Sequence, residues 1–348
     1  MSLLQKHIQS LPFPETPLVK NPAYQEVEEC FDERIHLDIH PPNYIIDLNF
    51  QLVAFPYCNR DKDDFVGLAY SLPFKLLSNR GIDRIKHIIK KNTNLAKQNE
   101  RNNNIRGLGY ISKFIRDFSY SEKILTLFSE IARTPLCLHN CFMNIAQINI
   151  GKMGSVRAVD EWHTDSVDYV MVLILSNTTA MIGGELQILQ LSDANGNIFK
   201  DLKINGIPRE KIKNINFPEA GYCMLMQGSL IMHSVTPVSK SIEPRMSLIN
   251  SYITTDVFKP DRTRLSTFRD QSKDPENIAN LEYARHVAWR TRGQLQYVLD
   301  NMNYARNNVN DISIIFNNVI QELKNSEEII TKRKKSDLQG FIKIKSRL

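Results

Sequence analysis

The sequence lacks most of the features that would assign it to a special class. Five cysteines are scattered through 348 residues and none forms a CxxC pair, which argues against a disulfide framework. Cys137 and Cys141 flank His139. That grouping faintly suggests zinc, but no second pair follows at finger spacing, so buried free thiols are the expectation. The odd cysteine count points to a reducing, intracellular setting. No apolar run approaches the roughly 20 residues needed to span a bilayer. The opening residues, MSLLQKHIQSLPFPETP, hold no uninterrupted apolar stretch and no small-residue cleavage site. A cytoplasmic protein with no membrane partner is therefore expected. There is no internal repeat and no low-complexity tract.

Charge of one sign is not in large excess either. The net charge is +6, with 42% hydrophobic and 24% charged residues, as in an ordinary globular chain able to bury its own core. Much of the positive charge sits in Lys332, Arg333, Lys334, Lys335, Lys343, Lys345 and Arg347. Such a run is usually a solvated tail. Basic groups do not concentrate with aromatics into a strand-binding patch, so nucleic acid is not an expected partner.

The chain divides by pattern into three stretches: 1–139, 140–258 and 259–348. The first is proline-punctuated, with short strands over Asn43–Asn49 and Gln51–Phe55. Helical spacing follows in GIDRIKHIIKK and SEKILTLFSEIAR. The asparagine-rich break Asn99–Asn104 between those segments predicts an exposed loop. From residue 140 the character changes. FMNIAQINI alternates, YVMVLIL is continuously apolar, and GGELQIL, YCMLMQ and MSLINSYIT follow, with turns such as Asp193–Asn197 between them. Short strands separated by turn residues predict a β-sandwich or barrel. After Asp274 the pattern is helical again, ending in the basic tail. The helices are expected to cover the sheet and its edges, and those around Trp289 and Tyr297 are apolar enough to support a homodimer. Gly340–Ile344 is either a lid over the barrel mouth or a frayed end.

Against this background one set of residues is informative. On an extended segment, positions i and i+2 face the same way. His163 and Asp165 therefore project together while Thr164 points elsewhere. His233, at the end of the apolar run CMLMQGSLIM, brings a second imidazole from a distant strand. Two imidazoles and a carboxylate are the facial ligand set of non-haem Fe(II), with positions left open for substrate and O2. Arg245, with Ser247 two residues on, offers a guanidinium for two-pronged binding of a carboxylate; the competing reading is a surface ion pair with Glu243. A rival HxD motif, His36-Leu37-Asp38 followed by His40, would alternate on one strand face but lacks a partner histidine and arginine downstream. Gln147 and Asn149 share a face of FMNIAQINI, which points either into the barrel or outward.

The order HTD, GGEL (Gly183–Leu186), HSVTPV (His233–Val238) and RMS (Arg245–Ser247) resembles the Fe(II)- and 2-oxoglutarate-dependent dioxygenase superfamily, over about residues 140–258. The resemblance implies an α+β chain with a double-stranded β-helix (jelly-roll) core flanked by N- and C-terminal helices. It implies His163, Asp165 and His233 as iron ligands and Arg245 as the residue that binds the distal carboxylate of 2-oxoglutarate. Ser247 would donate a hydrogen bond to that carboxylate, and Gln147 and Asn149 would contact co-substrate or substrate if they face inward. Fe(II), 2-oxoglutarate and O2 are the implied cofactor and co-substrates. The substrate is expected to be a small molecule, such as an amino acid or biosynthetic intermediate, with release of succinate and CO2. Halogenating relatives need an open position where Asp165 stands, which favours hydroxylation, desaturation or ring formation. The sequence departs from the pattern at Tyr222, where an acidic residue is common, and in a slightly lengthened turn, Ser239–Pro244. The alternatives are a catalytically silent jelly-roll scaffold and a metal-dependent barrel that does not use 2-oxoglutarate.

Overall fold

A computed structural model describes residues 11–13, 28–49, 52–53, 67–99, 102–190, 206–272, 274–301 and 309–331. The basic tail, the segment Gly340–Ile344, the turn Asp193–Asn197, Cys58 and most of the strand expected over Gln51–Phe55 lie outside the described residues.

Eight strands form the core: β1 (Gln147–Gly151), β2 (Asp160–His163), β3 (Tyr169–Ile174), β4 (Leu186–Leu189), β5 (Ile212–Ile215), β6 (Tyr222–Met226), β7 (His233–Val235) and β8 (Arg245–Thr254). The larger sheet places them in the order β6-β3-β8-β1, and the smaller one in the order β5-β4-β7-β2. Every pairing among them is antiparallel. The chain passes from one sheet to the other at nearly every connection, which makes the core a double-stranded β-helix. Its strands lie within the stretch where turn-punctuated apolar runs predicted them.

The continuous run YVMVLIL is explained by β3, which is buried along all six residues. Met171 and Leu173 join the apolar cluster on the helical side of the larger sheet. Val170, Val172 and Ile174 join the cluster on the other face, toward the smaller sheet. A strand covered on both faces has no solvent side to make polar. Helices cover the outer face. In α1 (Asn79–Lys91), Ser78 caps the first turn by accepting from the Gly81 amide, and Ile82, Ile85, Ile88 and Ile89 form the buried stripe. In α2 (Glu122–Ala132), capped by Ser121, Ile124, Phe128 and Ile131 do the same.

Two expectations for the first stretch are corrected. The asparagine-rich segment is not an exposed loop between helices. Ala96–Gln98 and Asn103–Ile105 pair as a hairpin, and Asn103–Ile105 pairs with β1, extending the larger sheet. Asn102 and Asn104 are buried, because their amides are used inside. The rival HxD segment is not a strand either. Glu33–His36 is a short helix, the buried His36 points to Glu29, and the exposed His40 and Asp38 pair with each other. Cys137 and Cys141 are buried free thiols, as expected, and the His139 between them is buried with Nε2 on the Thr263 hydroxyl at 3.0 Å and Nδ1 accepting from the Cys141 amide at 3.1 Å.

At the other end, α3 (Glu276–Asn301) and α4 (Val309–Thr331) pack together. Ala279, Tyr283 and Val287 of α3 join the inner apolar cluster. Trp289 is buried against Cys137, Ile253 and Val257, so it belongs to the core and offers nothing to a dimer face. No described helix is long and apolar enough to cross a membrane.

Candidate metal centre and co-substrate bay

Strands β2 and β7 lie side by side, with His233 directly opposite His163. Asp165 follows just past the end of β2, where its amide donates to Gly228 O at 2.8 Å. The two imidazole rings are 4.1 Å apart, centre to centre. His163 Nε2 stands 3.4 Å from Asp165 Oδ1, and His233 Nε2 stands 3.6 Å from Asp165 Oδ2. A metal about 2.0–2.2 Å from each ligand atom places neighbouring ligand atoms about 3 Å apart, close to these separations. Among the described residues this is the one His/Cys/Asp/Glu group whose ligand atoms converge so.

The second ring nitrogens are also in place. His163 Nδ1 bonds to Glu161 O, and His233 Nδ1 bonds to Ile231 O at 2.8 Å. Each Nδ1–H donates to a carbonyl two residues back, which leaves Nε2 bare for a metal. Burial, with the neighbouring His163 imidazole, pushes His233 down to about 4, so it is neutral near pH 7 and available as a ligand. The residues therefore fit a divalent metal. The run CMLMQGSLIM, read as one strand ending at His233, is two: β6 stops at Met226 and β7 begins at His233. The break includes Gly228, where a Cβ would stand 2.0 Å from Asp165 Oδ2.

Arg245 opens β8 and is 2% exposed. Its Nε donates to Gly184 O at 2.8 Å and its Nη1 to Ser247 Oγ at 3.2 Å. No carboxylate of the described residues pairs with it. Burial pulls its guanidinium down to about 10, against the attraction of Asp160 and Glu185, as expected for a cation lacking a close counter-ion. The surface-pair reading is thereby excluded, since Glu243 instead accepts from Lys86 at 2.7 Å and from the Asn177 amide at 2.8 Å. The Gly183-Gly184 pair also has a reason. Both have left-handed φ, and a Cβ would meet Pro237 O at 2.0 Å in the first and Arg245 Cδ at 2.8 Å in the second.

Gln147 and Asn149 of β1 face the cavity beside the triad. Val170, Val172, Leu186, Val235 and Ile249 supply its apolar side. The polar side is a directed chain of hydrogen bonds. Arg106 donates to Gln147 Oε1, Gln147 to Asn149 Oδ1 at 2.7 Å, and Asn149 to Asp160 Oδ2 at 3.0 Å. Asn102 also donates to Asp160 Oδ2, and Asn104 to Asn102. Arg106 has only donors and Asp160 only acceptors, so the amides between them can run in one direction alone. Sequence reasoning missed Asn102, Asn104, Arg106 and Asp160. The alternation of Asn102, Asn104 and Arg106 was the available signal, because it puts all three on one strand face.

The HalD family model, described as Halogenase D, matches residues 76–267. No curated protein matches the chain. Among solved structures it is similar to HygX from Streptomyces hygroscopicus with nickel and 2-oxoglutarate bound: 12% identity, 52% of this chain and 81% of that chain covered, TM-score 0.38. It is also similar to SnoN, a non-heme alpha ketoglutarate dependent epimerase from nogalamycin biosynthesis: 14%, 51% and 75%, TM-score 0.39. A third is EctD from S. alaskensis in its apoform: 11%, 65% and 86%, TM-score 0.41. These structural likenesses are too distant to carry a functional argument. The family match is of another kind, for it covers more than half of the chain, including the hairpin asparagines, the triad, Arg245 and Ser247. The chain belongs to the Halogenase D family.

Proposed function

We propose that the protein is an Fe(II)- and 2-oxoglutarate-dependent oxygenase that oxidises, most simply hydroxylates, a C–H bond of a small molecule. The observation that carries this reading is the presence of two features on the two sheets of one core. His163, Asp165 and His233 converge their ligand atoms, and a buried Arg245, without a carboxylate partner among the described residues, stands on the other sheet beside Ser247, which lines the cavity. Iron(II) held by the triad supplies O2 activation coupled to conversion of 2-oxoglutarate into succinate and CO2. The chain's own residues do the rest. Arg245 pairs with the distal carboxylate, and Ser247 donates a hydroxyl beside it. Gln147 and Asn149 direct spare amide N–H groups at bound oxygens. Val170, Val172 and Leu186 keep water from the reacting carbon. A cavity with one apolar and one amide-lined side suits a small polar substrate, such as an amino acid or biosynthetic intermediate.

The family's description names halogenation. Asp165 separates the two outcomes, because with iron bound its carboxylate would serve as the third protein ligand, leaving no vacancy in its place for a halide. Oxygen transfer is therefore the reading for this chain.

Anaerobic titration of the Fe(II) protein with 2-oxoglutarate tests the proposal. A visible charge-transfer band is expected, absent in His163→Ala. In Arg245→Ala it should need roughly 10- to 100-fold more 2-oxoglutarate, the equivalent of losing a charged hydrogen-bonded pair. Iron binding without a band would point to a barrel that does not use 2-oxoglutarate, and no iron binding would leave a silent scaffold. Turnover with chloride present should yield oxygenated and no chlorinated product.

A further inference from the structure

The segment that carries the carboxylate ligand is gripped from outside the motif. Past Asp165 the chain leaves β2 for β3, and the backbone register of the β2–β7 ladder ends at His163, short of Thr164 and Asp165. The strap at residues 261–264, between β8 and α3, reaches them. Arg264 is 5% exposed. Its Nη2 donates to Thr164 O at 2.8 Å and to Asp165 O at 2.6 Å. Its own amide donates to Ser166 O at 3.1 Å. Two residues earlier, Arg262 donates to Asp168 Oδ1 at 3.2 Å, an oxygen also held by the Ser229 hydroxyl. The strap is fastened behind by Asp261, which accepts from His286 at 2.8 Å and from the Thr263 hydroxyl at 2.6 Å.

We infer that Arg264 is a positioning residue for the metal ligand Asp165, and that the C-terminal region reaches the metal centre through it. The inference rests on the metal-centre reading above. With both carbonyls turned outward onto one guanidinium nitrogen, the Thr164–Asp165 backbone is pinned in the form that aims the carboxylate between the two imidazoles. The Gly228 carbonyl holds the same residue from the opposite side. Remove the guanidinium and two buried carbonyls lose their donor, leaving the ligand free to rotate away.

Co(II) binding to the metal-free protein, followed by its visible d–d bands, tests this without turnover. Arg264→Met is expected to weaken Co(II) binding about 10- to 100-fold, as outer partners of metal ligands do, and to change the d–d bands. Arg264→Lys, which keeps a charged donor, should recover part of the affinity. A folded Arg264→Met protein that binds Co(II) within about twofold of the wild type, with the same bands, overturns the inference. Should that variant not fold, hydrogen exchange on the wild-type protein decides. Linkage requires Co(II) to slow exchange of the Arg264 amide and of the Thr267 amide, which donates to Arg264 O at 3.1 Å, and unchanged exchange there overturns the inference. Failure of the wild type to bind any divalent ion would instead sink the metal-centre reading itself.

Discussion

Gly228 has no side chain because Asp165 occupies the place where one would begin. A Cβ there would lie 2.0 Å from Asp165 Oδ2 and 2.8 Å from its Cγ. Gly228 is not among the residues with left-handed φ, so alanine suits its backbone and the conflict is with the carboxylate alone. Gly228→Ala is therefore expected to remain folded, with a thermal midpoint within a few degrees of the wild type, and to lose metal affinity about 10-fold or more. Gly184→Ala should behave differently. Its φ of +77° disfavours a side chain, and its Cβ would crowd Arg245 Cδ at 2.8 Å. That variant should lose about 1 kcal/mol or more of stability and also bind 2-oxoglutarate less tightly. Unfolding curves beside Co(II) and 2-oxoglutarate titrations separate the two. The proposed ligands were legible at this scale, since an imidazole, a carboxylate, a second imidazole and a guanidinium in that order point to one chemistry. Gly228 and Arg264 were not. Their reason is a contact with residues 63 and about 100 positions away in sequence, and a single chain records no such pairing.

Among the elements, α3 carries a titration that should appear in the stability of the fold. Glu282 is 3% exposed. It accepts from the Tyr110 hydroxyl and, at 3.1–3.2 Å, from the Met143 amide. Burial raises its carboxyl to about 7, against the lowering effect of those two hydrogen bonds. The folded protein thus holds a proton that the unfolded chain releases near the ordinary glutamate value, about 4.3. Between those two values the native state binds more protons, so this group's contribution is complete below about pH 4.3 and is lost as pH rises through 7. Glu282→Gln removes that loss. Its unfolding free energy should exceed the wild type's by about 3–4 kcal/mol at pH 8 and differ little at pH 4. Equal differences at both pH values would mean that Glu282 does not change protonation on folding. Elements were readable where burial imposed one pattern, as in β3 or the stripe of α1. The hairpin at residues 96–105 escaped because asparagine ordinarily marks turns and is depleted in strands. Here it lies in a strand because the sheet's inner face is the wall of a polar cavity.

Taken whole, the molecule has a buried ion pair beside its cavity that joins sequence-distant parts. Arg106, just beyond the hairpin strand, forks onto Asp274, just before α3, with Nε–Oδ1 at 2.8 Å and Nη2–Oδ2 at 2.6 Å. The remaining terminal nitrogen, Nη1, holds Asn144 at 2.9 Å and Gln147. One guanidinium thereby ties the hairpin and the C-terminal region to the cavity wall on β1. The larger sheet likewise takes strands of the first stretch at both ends, for the hairpin lies beside β1, and Leu68–Ser71, with Ile45–Asp47 beyond it, lies beside β6. None of this could be read from the sequence, where Arg106 and Asp274 are two charges among many. A buried pair contributes little net stability, but breaking it strands an uncompensated charge. Arg106→Met should therefore destabilise the fold by about 3–5 kcal/mol in urea unfolding at pH 7. Asp274→Asn placed in that background should return a large part of the loss, because the stranded carboxylate is gone. The two substitutions must then be strongly non-additive, with a coupling of about 1–3 kcal/mol. Simple additivity would show that the pair does not join the two regions energetically. The double variant should still bind 2-oxoglutarate less tightly than the wild type, since without Arg106 the Gln147 and Asn149 amides are no longer held in one direction.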